Sequence, residues 1–401
     1  MANPPPPYDN ITGISRAAMK DNAQVTLAEY DGNARPGELV VDQTTSIVYV
    51  GNALGDLTAV ATPGGATTWA LLSNKTGASG PTIITLGQNA GFDGQANAAV
   101  ALGQNAGAGG QSGAAISIGL NAGGNTTQGV YAVAIGSSAG FDAQGISSVA
   151  IGEGAGLNSQ GNQSVAIGQN AGATQGSTAV AIGQNAGGGV ALQGDDAVAI
   201  GHGAGENTQG TQSVAIGLYA GQTSQGQLAV AIGTNAGNTS QGNSAVAIGD
   251  NAGIDNQGDQ SVAIGQQSGN TNQAPQSVAI GTQAGFTGQG ELAVAIGIQS
   301  GYDTQGNNSV AIGRNAGYVT QGANAVAIGS KAGPSSQANN SIIINATGNN
   351  LNQTTANTFT VKPVRAVTSV TFAAPTAGSI PAGFSPMYYN PTTGEIIVIT
   401  T

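Results

Sequence analysis

A five-residue word, Ser261-Val262-Ala263-Ile264-Gly265, recurs from the region of Ile83 almost to the end of the chain, and its spacing leaves few folds open. The glycine that closes each copy falls at Gly87, Gly103, Gly119 and Gly136, and so on to Gly329, with a degenerate seventeenth copy at Ser341–Asn345. Most intervals are 16 residues, with single departures to 17, 15 and 18. A fixed period this short marks a solenoid, in which each repeat buries surface only against its neighbours.

Composition agrees. The chain has 401 residues, of which 67 are glycine, 7% are charged and 4% are aromatic. Large side chains are too scarce for a compact core, so burial must come from stacking many small layers. Within the word, alternation puts Val and Ile on one face of a strand and Ala on the other. The β-branched pair is expected to face the core: Val262 and Ile264 in one copy, Val278 and Ile280 in the next.

A second glycine follows the first by four residues, as in Gly168 and Gly172, Gly217 and Gly221, and Gly265 and Gly269. Two glycines at fixed offset predict two bends per layer, where positive φ or close backbone approach excludes a Cβ. Then come usually three variable residues and Gln-Gly. All three changes in period fall in that variable segment, which is read as an outer loop because a packed ladder does not tolerate insertions.

In-register stacking about 4.8 Å apart would set like charges against each other in one column. The aspartates six residues beyond the first glycine, Asp93, Asp142, Asp255 and Asp303, never occupy adjacent layers. Asn, Gln, Ser and Thr can form side-chain ladders without that cost. Seventeen layers predict a rod of roughly 75–80 Å. So narrow a coil leaves apolar surface in water when alone, and association of identical chains along a shared axis, a homotrimer, would cover it.

Several function classes are disfavoured. There is no cysteine, and the net charge is −11 with only eight basic residues, which argues against nucleic-acid binding. No stretch approaches 18 apolar residues, so no membrane insertion through a helix is expected. No enzyme activity and no cofactor are expected. His202, the only histidine, sits where other copies have Gln, Leu, Thr or Asp, and is read as a surface residue. Asp195, Asp196, Asp250, Asp255 and Asp259 lack the Gly-Gly-x-Gly-x-Asp pattern of calcium-binding rolls, so no metal site is expected. Phe286, Tyr302 and Tyr318 share one column five residues after the first glycine, with Phe92 and Phe141 at the same place elsewhere. Such a stripe either stacks on sugar rings of a receptor or, the more expected outcome, packs against a neighbouring chain's loop.

From Ile83 to Asn345 the SVAIG-type words and their following Asn-Ala pairs resemble the head repeats of YadA-like trimeric autotransporter adhesins. The resemblance implies an all-β fold, a left-handed parallel β-roll in which three chains pack side by side. No counterpart of that family's signal peptide, coiled-coil stalk or membrane barrel is expected in this sequence. Met1–Asn10 is proline-rich, without a basic start or apolar run.

The flanks point elsewhere. Residues 1–25 read as a tail, and residues 26–80 as a β-meander and connector with the single tryptophan, Trp69, at the base of the roll. The string GELVVDQTTSIVYVGNALGDLTAV within it resembles a module at the N-terminal end of bacteriophage tail-fibre proteins. Beyond the roll of residues 81–345, residues 346–401 are expected to form a C-terminal β tip. Its segments TFTVKPVR and MYYNPTTGEI resemble the region ahead of a self-cleaving C-terminal chaperone in viral fibres, and the expectation is that such a chaperone is either removed by cleavage or not encoded. Together the resemblances imply a virion-surface fibre, in a tail or on a capsid, that mediates host attachment. It would bind other virion proteins through its N-terminal module and a host cell-surface glycan or protein elsewhere. The alternative is a bacterial trimeric surface adhesin or extracellular filament.

Overall fold

The computed structural model describes residues 83–189, 192–364, 387–390 and 392–398, together with three N-terminal strands. Those three strands form an antiparallel sheet: Leu39–Asp42 pairs with Ile47–Gly51, which pairs with Leu57–Ala59. The tail, the expected strand Val25–Tyr30 and Trp69 lie outside the described residues. No helix occurs among the described residues, and the array is a β-solenoid of about 17 turns.

Each Val-Ala-Ile is a three-residue strand that pairs in parallel with the copies before and after it, like residue on like: Val262 on Val278, Ala263 on Ala279, Ile264 on Ile280. This register holds from Ile84–Leu86 to Ile342–Asn345. Neighbouring strands set like face on like face, so a one-residue slip would exchange the Ala face for the Val/Ile face, and register is tightly specified.

The variable segment departs from the expected outer loop. In most layers it forms a second strand ending in the Gln of Gln-Gly. Nine of these, from Asn207–Gln209 to Ser335–Gln337, make a second parallel sheet. Ser159–Gln160 and Thr174–Gln175 make a separate pair. Length changes are accommodated by interrupting this sheet and not the first. In the two longer layers only Gln128 and Gln193 keep pairing, Gln128 through an isolated bridge to Gln111 and Gln193 through bridges to Gln175 and Gln209.

Both glycine columns do what their spacing requires. Gly265 has φ of 124°, and a Cβ there would lie 2.8 Å from the carbonyl carbon of Gly281 in the next layer. Gly269 has φ of 49°, and its Cβ would meet Oε1 of Gln273 at 2.5 Å. The same two environments recur at Gly168 and Gly217, and at Gly172 and Gly221. The first glycine thus permits layers to approach; the second makes room for an interior side chain.

That interior corrects the expected core. Ala263 and Ala279 are fully buried, whereas Val262, Ile264, Val278 and Ile280 are half-buried and point outward. The reason is width. The two sheets of one coil lie so close that the space between them holds only methyl-sized groups and one extended side chain. In the layer of Gly265 these are Ser261, Ala263 and Ser268, all at 0% exposure, and Gln273 at 1%. Branched side chains would overfill it, so the alternation places them outside.

The roll ends on larger groups. Ile343 replaces the inward Ala of the seventeenth word and is fully buried with Leu351. Asn345 replaces the glycine, and its Nδ2 donates to the carbonyl of Ser330 at 2.8 Å. The sheet then continues one strand past the sequence period: Phe359–Lys362 pairs in parallel with Ile342–Asn345, turning Thr360 inward in place of Ala. Glu395–Val398 pairs antiparallel to that strand and to Met387–Tyr389, and the parallel stacking stops.

Candidate binding surfaces

The interior is polar but closed. In the layers from Gln111 to Gln337 the Gln at the end of the variable segment is almost fully buried, and its Nε2 reaches across the coil to the carbonyl of the first residue of its own layer's strand, as from Gln241 to Val230 at 2.9 Å. It also donates onward to the Oε1 of the next layer's Gln: Gln225 to Gln241 at 3.1 Å, Gln241 to Gln257 at 3.2 Å. The longest run joins Gln273, Gln289, Gln305, Gln321 and Gln337. All these bonds point towards the C-terminus, so the first Gln of each run has an acceptor with no donor. Among the described residues the unpartnered atoms are Oε1 of Gln95, Gln160, Gln193, Gln225 and Gln273. Nothing in the structure explains where the runs break. A buried amide column of this kind is stabilising only when satisfied, and it fixes the width and register of the coil.

This column was missed in the sequence although its signal is there. Each copy carries a Gln just before the next glycine or its substitute, and the insertions and the deletion all fall ahead of it.

The outer faces carry what can meet another molecule. The most extensive is the Val/Ile ribbon, two half-exposed branched side chains per layer, with Ile232, Ile312 and Ile328 at 36–39% exposure. In a single chain it is a continuous apolar strip along the rod, far longer than isolated surface hydrophobes.

The aromatic column lies on the other side of the second glycine. Phe286 and Tyr302 have centroids 4.9 Å apart at 3°, and Tyr302 and Tyr318 are 5.0 Å apart at 20°. The three rings are half-buried and stacked on each other. Both faces of Tyr302 are therefore occupied within the chain, and the column presents ring edges. Neither expected role, a face for sugar stacking or a plug against a neighbour's loop, is needed to account for the stack. Phe92, at 75% exposure, and Phe141 stand in layers without an aromatic neighbour.

The acidic residues serve their neighbours. Asp259 and Asp195 accept hydrogen bonds from the backbone N–H groups of Asn243 and Ser177, one layer back, at 2.7 and 2.8 Å. Asn162, Asn243, Asn307 and Asn339 do the same in their layers. Asp196 accepts from Thr178, and Asp250 from Gln266 at 3.4 Å. Asp255 lies between Thr239 and Thr271, and Asp303 between Thr287 and Val319, so the staggered column meets only neutral neighbours. Asparagines elsewhere form ladders, Asn89 to Asn105 to Asn121 at 3.1 and 2.9 Å. His202 is exposed, its ring 5.1 Å from that of Tyr219. Among the described residues no three His, Cys, Asp or Glu come together as a metal site would require, and no helix is long and apolar enough to cross a membrane.

Residues 159–186, 193–220 and 289–316 match the family model of the YadA head domain repeat, in two copies, and each match spans two complete words. Those three stretches of the roll are similar to YadA head repeats. No curated protein and no solved structure matches the chain. The matches cover words with both Ser and Ala at the first position, which is the buried place where Ser261 hydrogen-bonds the carbonyl of Gly258 at 2.7 Å and Ala245 simply fills the space.

Proposed function

We propose that the chain is a homotrimeric surface fibre that attaches a virion to its host through multivalent contacts. The observation that carries this reading is the Val/Ile ribbon. The interior of each coil is complete within one chain, yet the most apolar residues of every layer are left half in water. Covering each would contribute about 0.5–1 kcal/mol, repeated over some thirty positions along the rod, and three copies packed side by side cover them all. YadA head repeats support the adhesive, extracellular part of the reading. The resemblance of the Gly37–Val60 region to phage tail-fibre modules supports the virion, and the antiparallel strands there are the part that would seat on other virion proteins. A rod of three chains presents each weak contact three times, so avidity replaces single-site affinity.

Sedimentation of the purified chain should give a trimer mass, and antibody to the chain should co-sediment with virions and block their adsorption to host cells. A monomer would remove the assembly. A trimer found on bacterial cells and absent from particles would leave the bacterial adhesin, which the YadA head repeats favour in their own right.

A further inference from the structure

Charge is sharply divided along the rod. Residues 83–313 contain 11 Asp and Glu and no Lys or Arg. From Thr304 to Gly394 there is no carboxylate, and residues 314–401 carry Arg314, Lys331, Lys362 and Arg365 against the single Glu395. The structure puts three of these cations on the last layers. Arg314 is exposed one position beyond its glycine, and Lys331 is in the layer above, its N–H donating to the carbonyl of Arg314 at 2.8 Å. Lys362 ends the final parallel strand, with its Nζ 2.8 Å from the carbonyl oxygen of Thr392. Between them the surface is uncharged and rich in amides and hydroxyls, including exposed Asn339, Asn340, Asn349, Asn350 and Ser335.

We infer that the C-terminal end of the rod is the receptor-binding end and that its partner is an anionic polysaccharide, bearing sulfate, phosphate or carboxylate groups. This rests on the attachment reading above and adds the outward end and the class of receptor. At physiological salt charges are screened beyond about 8 Å, less than two layers at about 4.8 Å each. The acidic shaft therefore does not cancel the field of the tip, and each acts on its own surroundings. An anionic surface repels the shaft and attracts the end, which stands the rod upright on its C-terminus. The amides and hydroxyls between the cations suit sugar hydroxyls, which makes a glycan a better fit than a lipid headgroup layer.

The test uses the full chain on three surfaces: immobilised dextran sulfate, uncharged dextran, and vesicles containing phosphatidylglycerol. Binding is expected to dextran sulfate alone and to weaken as salt rises. The double variant Arg314→Gln, Lys331→Gln should lose at least about tenfold in affinity through three-fold multiplied contacts. Gln104→Glu with Thr282→Glu changes the net charge equally but on the shaft, and should bind within about twofold of the parent because those sites are beyond the screening length. Full binding by the Arg314/Lys331 variant, equal loss in the shaft variant, or equal binding to dextran or vesicles would each overturn the inference. Sedimentation of both variants as the parent's oligomer separates this outcome from failure of the assembly itself.

Discussion

The inside of the roll and its Val/Ile ribbon invert the usual relation between hydrophobicity and burial. The inside is built of alanine, serine and one glutamine per layer, and is closed to water in one chain. The ribbon holds the most apolar side chains of the molecule and stays half exposed. The difference is one of space. A coil of about 16 residues can admit methyl groups and one amide that satisfies itself against the backbone, and it excludes branched side chains whatever their preference for a dry environment. The interior therefore sets the fold of one chain, and the ribbon sets what that chain still lacks.

Substitutions on the two faces should separate these roles. The largest effect is expected inside the ladder at Gly265→Val, where positive φ and the approach of Gly281 both oppose a side chain. A loss of at least about 3 kcal/mol should appear as a lowered melting temperature and as proteolysis near residue 265. If the variant melts with the parent, the layers are less closely stacked than described. Next comes Ala263→Val, which adds two carbons to the closed interior and should cost about 1–3 kcal/mol, while the mirror change Val262→Ala on the ribbon should leave the fold of the chain intact. Circular dichroism and chemical denaturation of the two, side by side, test whether inside and outside are assigned correctly; equal loss would reverse the assignment.

What could be read in advance follows the same division. Period two shows that a strand has two faces without saying which one turns inward, and hydrophobicity pointed to Val262 and Ile264 because coil width is not written in the word. Repeat length, register, both glycine bends and the staggering of Asp255 and Asp303 were legible, since each depends only on position in a period. The second sheet was not, because Thr239–Gln241 is three residues long and its middle residue, Ser240, has φ of 57°, so it has no alternating pattern. The last strand was hidden for another reason. Phe359-Thr360-Val361 stands 17 residues beyond Ile342-Ile343-Ile344, within the spacing of the array, but its glycines and its Ala are gone. The aromatic column was visible as a column, whereas the mutual stacking that closes its ring faces depends on the layer spacing.

Two smaller effects sharpen the comparison further. Gln241→Leu removes a donor to Val230 and an acceptor for Gln225, and stranding those groups in a dry interior should cost about 1–3 kcal/mol. The exposed Gln227→Leu should cost almost nothing, and hydrogen exchange at the two layers would show whether the buried amide is the one that matters. A smaller loss than that of Gln241→Leu is expected for Tyr302→Ala. Loss of stacking on Phe286 and Tyr318 should lower stability by about 0.5–1.5 kcal/mol, read in the melting temperature, with adsorption to host cells unchanged. Reduced adsorption by a variant of unchanged stability would return the aromatic column to the receptor surface.

The identity of successive layers has one more consequence. Because Gly249, Gly265 and Gly281 occupy the same corner with the same neighbours above and below, removing or duplicating a whole 16-residue unit leaves the strand pairing and the glycine contacts of the remaining layers unchanged. The chain is in effect a ruler graduated in single turns. Recombination between near-identical copies can reset how far the fibre reaches, by about 4.8 Å a step, without redesigning either end.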